Sequence, residues 1–103
     1  FELPDWMRPP CHSEKPQSYK SVYGRLGWNH PAPTITTGFG CNGRGRYVHP
    51  SQKRTITPHE AARIQFFPDS FDFGDSPRTL LQKVIGNAVP PKMGYALGLH
   101  LLR

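Results

Sequence analysis

The sequence predicts an α+β fragment in which short β hairpins come first and short helices follow. Three observations carry that reading. A fully capped helix starts at Thr57-Pro58, a β-branched run at Thr34-Ile35-Thr36-Thr37 leads into a glycine-rich turn, and two later prolines each open a helical pattern.

The capped helix has unusually complete start and stop signals. Thr57 is a good N-cap, Pro58 suits the first helical position, and Glu60 stands three residues after the cap. In this capping-box arrangement Thr57 and Glu60 each accept a hydrogen bond from an otherwise unpaired backbone amide. Ala61 to Gln65 continue the helix, and Pro68 forces an ending near Phe66 or Phe67.

Upstream, residues 1–20 carry Pro4, Pro9, Pro10 and Pro16 without sustained periodicity, so an extended arm is expected. Tyr23, Leu26 and Trp28 alternate irregularly with Gly24 and Gly27, and Pro31-Ala32-Pro33 delivers the chain into the β-rich run. Gly38 to Arg46 then has glycine at every second or third position. It is no P-loop, because no Gly-Lys-Ser/Thr ends it and no helix follows. Its glycines would let backbone amides approach a ligand, with Arg44 and Arg46 supplying charge. A hairpin tip with solvated arginines fits the spacing equally well. Tyr47-Val48 and Arg54-Thr55-Ile56 are short strand candidates around His49-Pro50-Ser51.

Downstream, Asp69 to Asp75 reads as a loop with buried phenylalanines. Ser76-Pro77 repeats the cap-plus-proline signal and starts a helix from Arg78 to about Val84, which Gly86-Asn87 breaks. Pro90-Pro91 launches a terminal helix with Met93, Ala96, Leu97, His100 and Leu101 on one face, widened by Tyr95, Leu99 and Leu102. A face that broad is expected to pack on a partner surface.

Composition bounds the function. At 103 residues the chain is one small domain or a piece of a larger one, and its start at Phe1 without a signal-like segment points to a fragment or processed product. Hydrophobic residues make up 36%, with 12 prolines and 10 glycines, so the core would be marginal unless it docks on something. No apolar run approaches the roughly 18 residues of a membrane span. The net charge of +6 favours a polyanionic partner, most simply nucleic acid. Two cysteines are too few for a disulfide scaffold and fit free thiols in a reducing cytosol. Cys11, His12, His30, Cys41 and His49 lack the paired spacings of a zinc site, so no metal is expected.

Two segments together resemble a known family. Arg54, Ile56, Thr57, Glu60, Ala62, Arg63, Ile64, Gln65, Phe67, Pro68 and Asp69 are similar to the ninth conserved motif of DNA (cytosine-5-)-methyltransferases, with His59 in place of the usual Arg and Phe66 in place of a common Gly. Gln82 to Pro91 resembles the tenth motif, Gln-x-x-Gly-Asn-Ala/Ser-Val-Pro, in the right order and at the family's spacing. The resemblance covers about residues 31–103.

It implies short helices that dock on a Rossmann-like, S-adenosylmethionine-dependent methyltransferase domain, with double-stranded DNA in the cleft between that domain and a smaller recognition domain. Residues 1–53 would be an arm and the end of the target-recognition region, 54–75 the support of that region, and 76–103 the return to the catalytic domain. Thr34 and Ile35 would lie near the flipped cytosine's backbone, Thr36 would bind DNA beside them, and Gly38, Gly40, Arg44 and Arg46 would approach the DNA groove. Arg54, Thr57, Glu60 and Arg63 would be architectural. Gly86, Asn87, Ala88 and Val89 would line the S-adenosylmethionine site, with Asn87 and Ala88 as the best contacts.

The family's Phe-x-Gly-x-Gly, Pro-Cys-Gln, Glu-Asn-Val and Arg motifs are absent. Pro10-Cys11 is not followed by Gln or Asn and stands on the wrong side of the recognition region, so a chance pair is expected and no catalytic residue is assigned. The resemblance implies the C-terminal part of a cytosine-5 methyltransferase, or the small subunit of a split one, acting with an N-terminal part in the bacterial cytoplasm at the nucleoid. A non-catalytic DNA-binding module and a packing remnant are the alternatives.

Overall fold

The structure is a computed structural model that describes residues 5–7, 10 and 22–103. Most of the N-terminal arm, including Cys11 of the Pro-Cys pair, lies outside the described residues. Regular structure among the described residues is helical: α1 spans Pro58–Ile64, α2 Arg78–Asn87 and α3 Pro91–Leu101, with 3-10 turns at Asp5–Met7 and Asn42–Arg44. None of these helices is long and apolar enough to cross a membrane.

The expected hairpins reduce to isolated bridges. Val48 pairs antiparallel with Thr55 and parallel with Arg25. The backbone bonds His49 N–H to Arg54 O (2.8 Å), Ile56 N–H to Tyr47 O (2.9 Å) and Leu26 N–H to Val48 O (2.8 Å) hold the three segments together. Each segment is too short to extend a ladder, since strands ordinarily run about 5–6 residues. The run Thr34–Thr37 forms no strand at all. Pro31 and Pro33 before it lack amide donors, and its ties are made by side chains instead.

α1 forms where its capping signals place it. The Thr57 hydroxyl accepts from Glu60 N (3.2 Å), and the Glu60 carboxylate accepts from Thr57 N (2.8 Å). The helix ends at Ile64, earlier than Pro68 would require. Phe66 adopts a left-handed conformation (φ 63°), and the amides of Phe66 and Phe67 bond Arg63 O and Ala62 O, both at 3.0 Å. This is a Schellman closure, which favours glycine at the left-handed position. Phe66 stands where the resembled motif commonly carries that glycine. Its ring is half exposed, with the Lys92 ammonium 4.9 Å above it.

α2 starts at Arg78 as expected, although the cap is Pro77 and the Ser76 hydroxyl instead bonds Phe73 O (3.1 Å). Gly86 and Asn87 do not break this helix; they are its last turn. The reason is packing. A Cβ at position 86 would stand 2.3 Å from Thr37 N and 2.5 Å from Thr36 C, so only glycine lets α2 meet that backbone. Phe67, Phe71 and Phe73 cluster with ring centroids 4.7–5.3 Å apart, but Phe71 is half exposed, contrary to the buried loop expected.

One core joins all three stretches of chain. Leu26, Ile35, Phe39, Tyr47 and Ile56 pack with Ala61 and Ala62 of α1 and Ile85 of α2, and Ile64, Phe67, Phe73 and Leu81 close around them. α3 buries none of its residues.

Two substitutions test this description. Phe66→Gly should raise stability by about 0.5–1 kcal/mol, as the relieved left-handed strain exceeds glycine's extra chain entropy, read as a higher denaturant midpoint. Gly86→Ala should cost about 1–3 kcal/mol by overpacking against an unyielding backbone, and an unchanged midpoint would contradict that contact.

Candidate functional site

A chain of hydroxyls sets the shape of the segment before the glycine-rich loop. Tyr47 Oη donates to Thr34 O (3.0 Å) and lies 3.0 Å from Thr36 Oγ1, which in turn accepts from Gly38 N (3.3 Å). Ile35, between the two threonines, turns into the core and is 4% exposed, while Thr34 and Thr36 face solvent. Gly38 is buried beneath the aliphatic part of Arg44, and Gly40 lies beneath the side-chain amide of Gln82 from α2. A Cβ at position 40 would fall 1.9 Å from Gln82 Nε2. Arg44 is exposed. Arg46 is half-buried, its guanidinium reaches Pro31 O at 3.4 Å, and its Nε has no hydrogen-bond partner among the described residues. Of the two expected arginines, Arg44 is therefore the more available for a phosphate.

The second cluster centres on Glu60. Arg54 grips its carboxylate with two bonds of 2.8 Å, from Nη1 to Oε2 and from Nη2 to Oε1. Such bidentate pairs combine charge with a fixed geometry. His49 Nδ1 accepts from the amides of Ser51 (3.2 Å) and Gln52 (3.1 Å), so the ring proton sits on Nε2, which faces Glu60 Oε1 at 3.6 Å. Arg54 above all, with the Thr57 amide and hydroxyl, holds the Glu60 carboxyl down to about 2, against a smaller opposing effect of burial. Arg63 pairs with Asp69 at 2.5–2.6 Å on the exposed side of α1, which holds the Asp69 carboxyl below its usual range. Arg54, Thr57, Glu60 and Arg63 thus make contacts within the protein.

Beside this cluster a groove of about 510 Å³ is lined by Leu26, Trp28, His30, Arg63 and Phe66 among others. Its lining includes no cysteine, and among the described residues no three potential metal ligands come together.

The third region is the end of α2. Asn87 is exposed in its last turn, Ala88 is half-buried and extended (φ −70°, ψ 142°), and Val89 is 63% exposed. Gly86 faces the Thr36–Thr37 backbone. Gln65, at the end of α1, donates its side-chain amide to Ile85 O (3.0 Å). Leu80, Val84 and Asn87 recur at helical spacing on the solvent side of α2, and α3 exposes Met93, Tyr95, Leu97 and Leu101.

Tyr47, Gln65 and Gln82 were not singled out from sequence. Tyr47 stood there only as a strand candidate. Gln65 and Gln82 fall within the two motif patterns, but spacing names no partner for either.

The family model described as C-5 cytosine-specific DNA methylase matches residues 8–103. The chain is 68% identical over 103 residues to the Type II methyltransferase M1.BsuMI of Bacillus subtilis (strain 168), covering all of this chain and 24% of that protein. It is 41% identical over 106 residues to the Type II methylase M.HgiDII of Herpetosiphon aurantiacus, covering 99% of this chain and 30% of that protein. It is also 41% identical over 101 residues to DNA (cytosine-5)-methyltransferase 1A of Oryza sativa subsp. japonica, covering 97% of this chain and 6% of that protein. The chain therefore spans less than a third of the length of each relative.

The Glu60 cluster sets a pH dependence. Because the folded carboxyl titrates near 2 instead of near 4.5, its contribution is complete above about pH 4.5 and is lost as pH falls toward 2. Glu60→Gln should flatten that acid limb and cost about 1–2 kcal/mol at neutral pH, measured by urea unfolding across pH.

Proposed function

The chain belongs to the C-5 cytosine-specific DNA methylase family, and from that premise we propose that it is the recognition and closing part of a DNA cytosine-5 methyltransferase. It would act on double-stranded DNA together with a part bearing the motifs absent here, in the same polypeptide or as a separate subunit. The observation that carries this reading is the shared core. Gln82 on Gly40 and Gly86 on Thr36–Thr37 hold the glycine-arginine loop to the same helix whose last turn begins the Gly86 to Val89 segment.

On this reading residues 1–53 form an arm and the end of the target-recognition region, 54–75 brace it, and 76–103 return to the catalytic domain. Arg44 meets the phosphate backbone, while Thr34 and Thr36 face the displaced nucleotide's strand. Gly38 and Gly40, expected to approach the DNA groove, are instead covered by Arg44 and by Gln82 and serve the packing of the loop. Ile35 acts from the core, holding the two threonines outward.

The residues at the end of α2 fit an S-adenosylmethionine site: an exposed amide on Asn87 beside the apolar Val89 offers a hydrogen-bonding group and a hydrophobic wall. When bound, that cofactor supplies the transferable methyl group. Asn87 and the Ala88 backbone would orient it, and Val89 would exclude water. Asn87 shares its helical face with Leu80 and Val84, so the surface that closes on the cofactor would also close on a Rossmann-like partner, with α3 docking beside it. The Type II names of two relatives support a place in a restriction–modification system, at the nucleoid in the bacterial cytoplasm.

A non-catalytic DNA-binding module is the second reading, favoured by the net charge of +6 and the exposed Arg44. Mixing the chain with a polypeptide carrying the other motifs should restore transfer of a labelled methyl group to DNA; no transfer under any mixing would sink the enzymatic reading. Arg44→Ala should weaken DNA binding more than Arg46→Ala and lower the salt slope by about 1, as expected for one lost phosphate contact. An equal effect of both, or of neither, would contradict the loop's assigned role.

A further inference from the structure

We propose that Gln65 is a positioning residue for the cofactor-facing loop, acting from α1 without touching the cofactor. The inference rests on the reading of Gly86 to Val89 given above and adds a residue that controls the loop from behind.

Carbonyls at a helix end have spare accepting capacity; in α2, Ile85 O takes the Ala88 amide at 3.3 Å and keeps a second lone pair for a side-chain donor. At the end of α2, Gln65 Nε2 donates to Ile85 O at 3.0 Å and lies 3.5 Å from Ala88 O. These two carbonyls flank Asn87, one before it in the helix and one after it in the extended segment. A single side-chain amide therefore spans the point where the chain leaves helical geometry. Both neighbours are acceptors, so the NH2 group must face them, which removes the usual ambiguity over the orientation of a glutamine amide.

The glutamine is itself well held. It is 9% exposed, its backbone amide bonds Ala61 O (3.0 Å), and the Schellman turn at Phe66 and Phe67 follows at once. A hydrogen bond in such a dry setting is stronger and more directional than at the surface. Burial at this position would favour an apolar side chain if packing were its only task. The donor instead sets the direction in which Ala88 departs, and with it the presentation of the Asn87 side chain. Through the same helix, cofactor binding becomes sensitive to the Thr57–Glu60 cap and to Arg54.

The test uses the complete enzyme, assembled with the part that carries the other motifs. Binding of S-adenosylmethionine and of a DNA duplex is measured separately, with a thermal melt for each variant. Gln65→Met keeps length and volume but removes the donor. It should weaken S-adenosylmethionine about tenfold, the size expected for a lost buried donor, while DNA affinity stays within about twofold. Gln65→Asn, one methylene too short to reach both carbonyls, supplies the same comparison if Gln65→Met fails to melt cooperatively. Parallel losses of both affinities in the variant that folds would overturn the positioning role and make Gln65 merely structural. Unchanged cofactor affinity would overturn it too. Asn87→Ala separates the two levels: if it weakens the cofactor and the Gln65 variants do not, only the positioning role fails. If no variant affects cofactor binding, the reading of the loop fails with it.

Discussion

The missing side chain at Gly86 is the constraint on which most of the tertiary structure depends. Any Cβ there would collide with the backbone at Thr36 and Thr37, so the approach of α2 to that segment exists only because position 86 is glycine. Ile85 beside it is then fully buried, Leu81 packs against the core, and Gln82 lies over Gly40. These residues share one helical face, which turns a single close approach into a line of contacts. The opposite face is left to Leu80, Val84 and Asn87.

Glu60 plays the complementary part on α1. One carboxylate caps the helix, binds both arms of Arg54 and faces His49, so His49, Arg54 and Thr57 converge on it. A partly buried carboxylate is tolerable because its charge and hydrogen-bonding capacity are matched. The contacts described for the Glu60 carboxylate all lie within the protein.

The core that results is thin. It draws on eight buried residues among those described, while α3 contributes none. An 11-residue helix is marginal alone in water. Its exposed leucines, with Leu80 and Val84, make an apolar surface that the proposed docking on a partner domain would cover. Relatives several times longer than this chain are consistent with that need.

Local chemistry was legible wherever neighbours in sequence decide the outcome. Thr57, Pro58 and Glu60 announce their own capping box, and the prolines at 77 and 91 mark the helix starts, because caps are satisfied within one turn. The paired motifs likewise point to the family without any coordinates. The β-rich run at Thr34–Thr37 misled, since β-propensity says nothing about whether a partner edge lies alongside; the segment is held by Tyr47 and covered by α2 instead, whereas Val48 and Thr55 do pair, in a single bridge. Gly86 read as a helix breaker because glycine's intrinsic cost is local, whereas its benefit, contact with Thr36–Thr37, spans about fifty residues of sequence. Separation in sequence also hid the Gln65 bond to Ile85, twenty residues away, and the burial of Ile35. Sequence determined which segments fold and to which family they belong; only the tertiary structure decided which face each segment shows, because that choice is made by contacts between residues far apart in the chain.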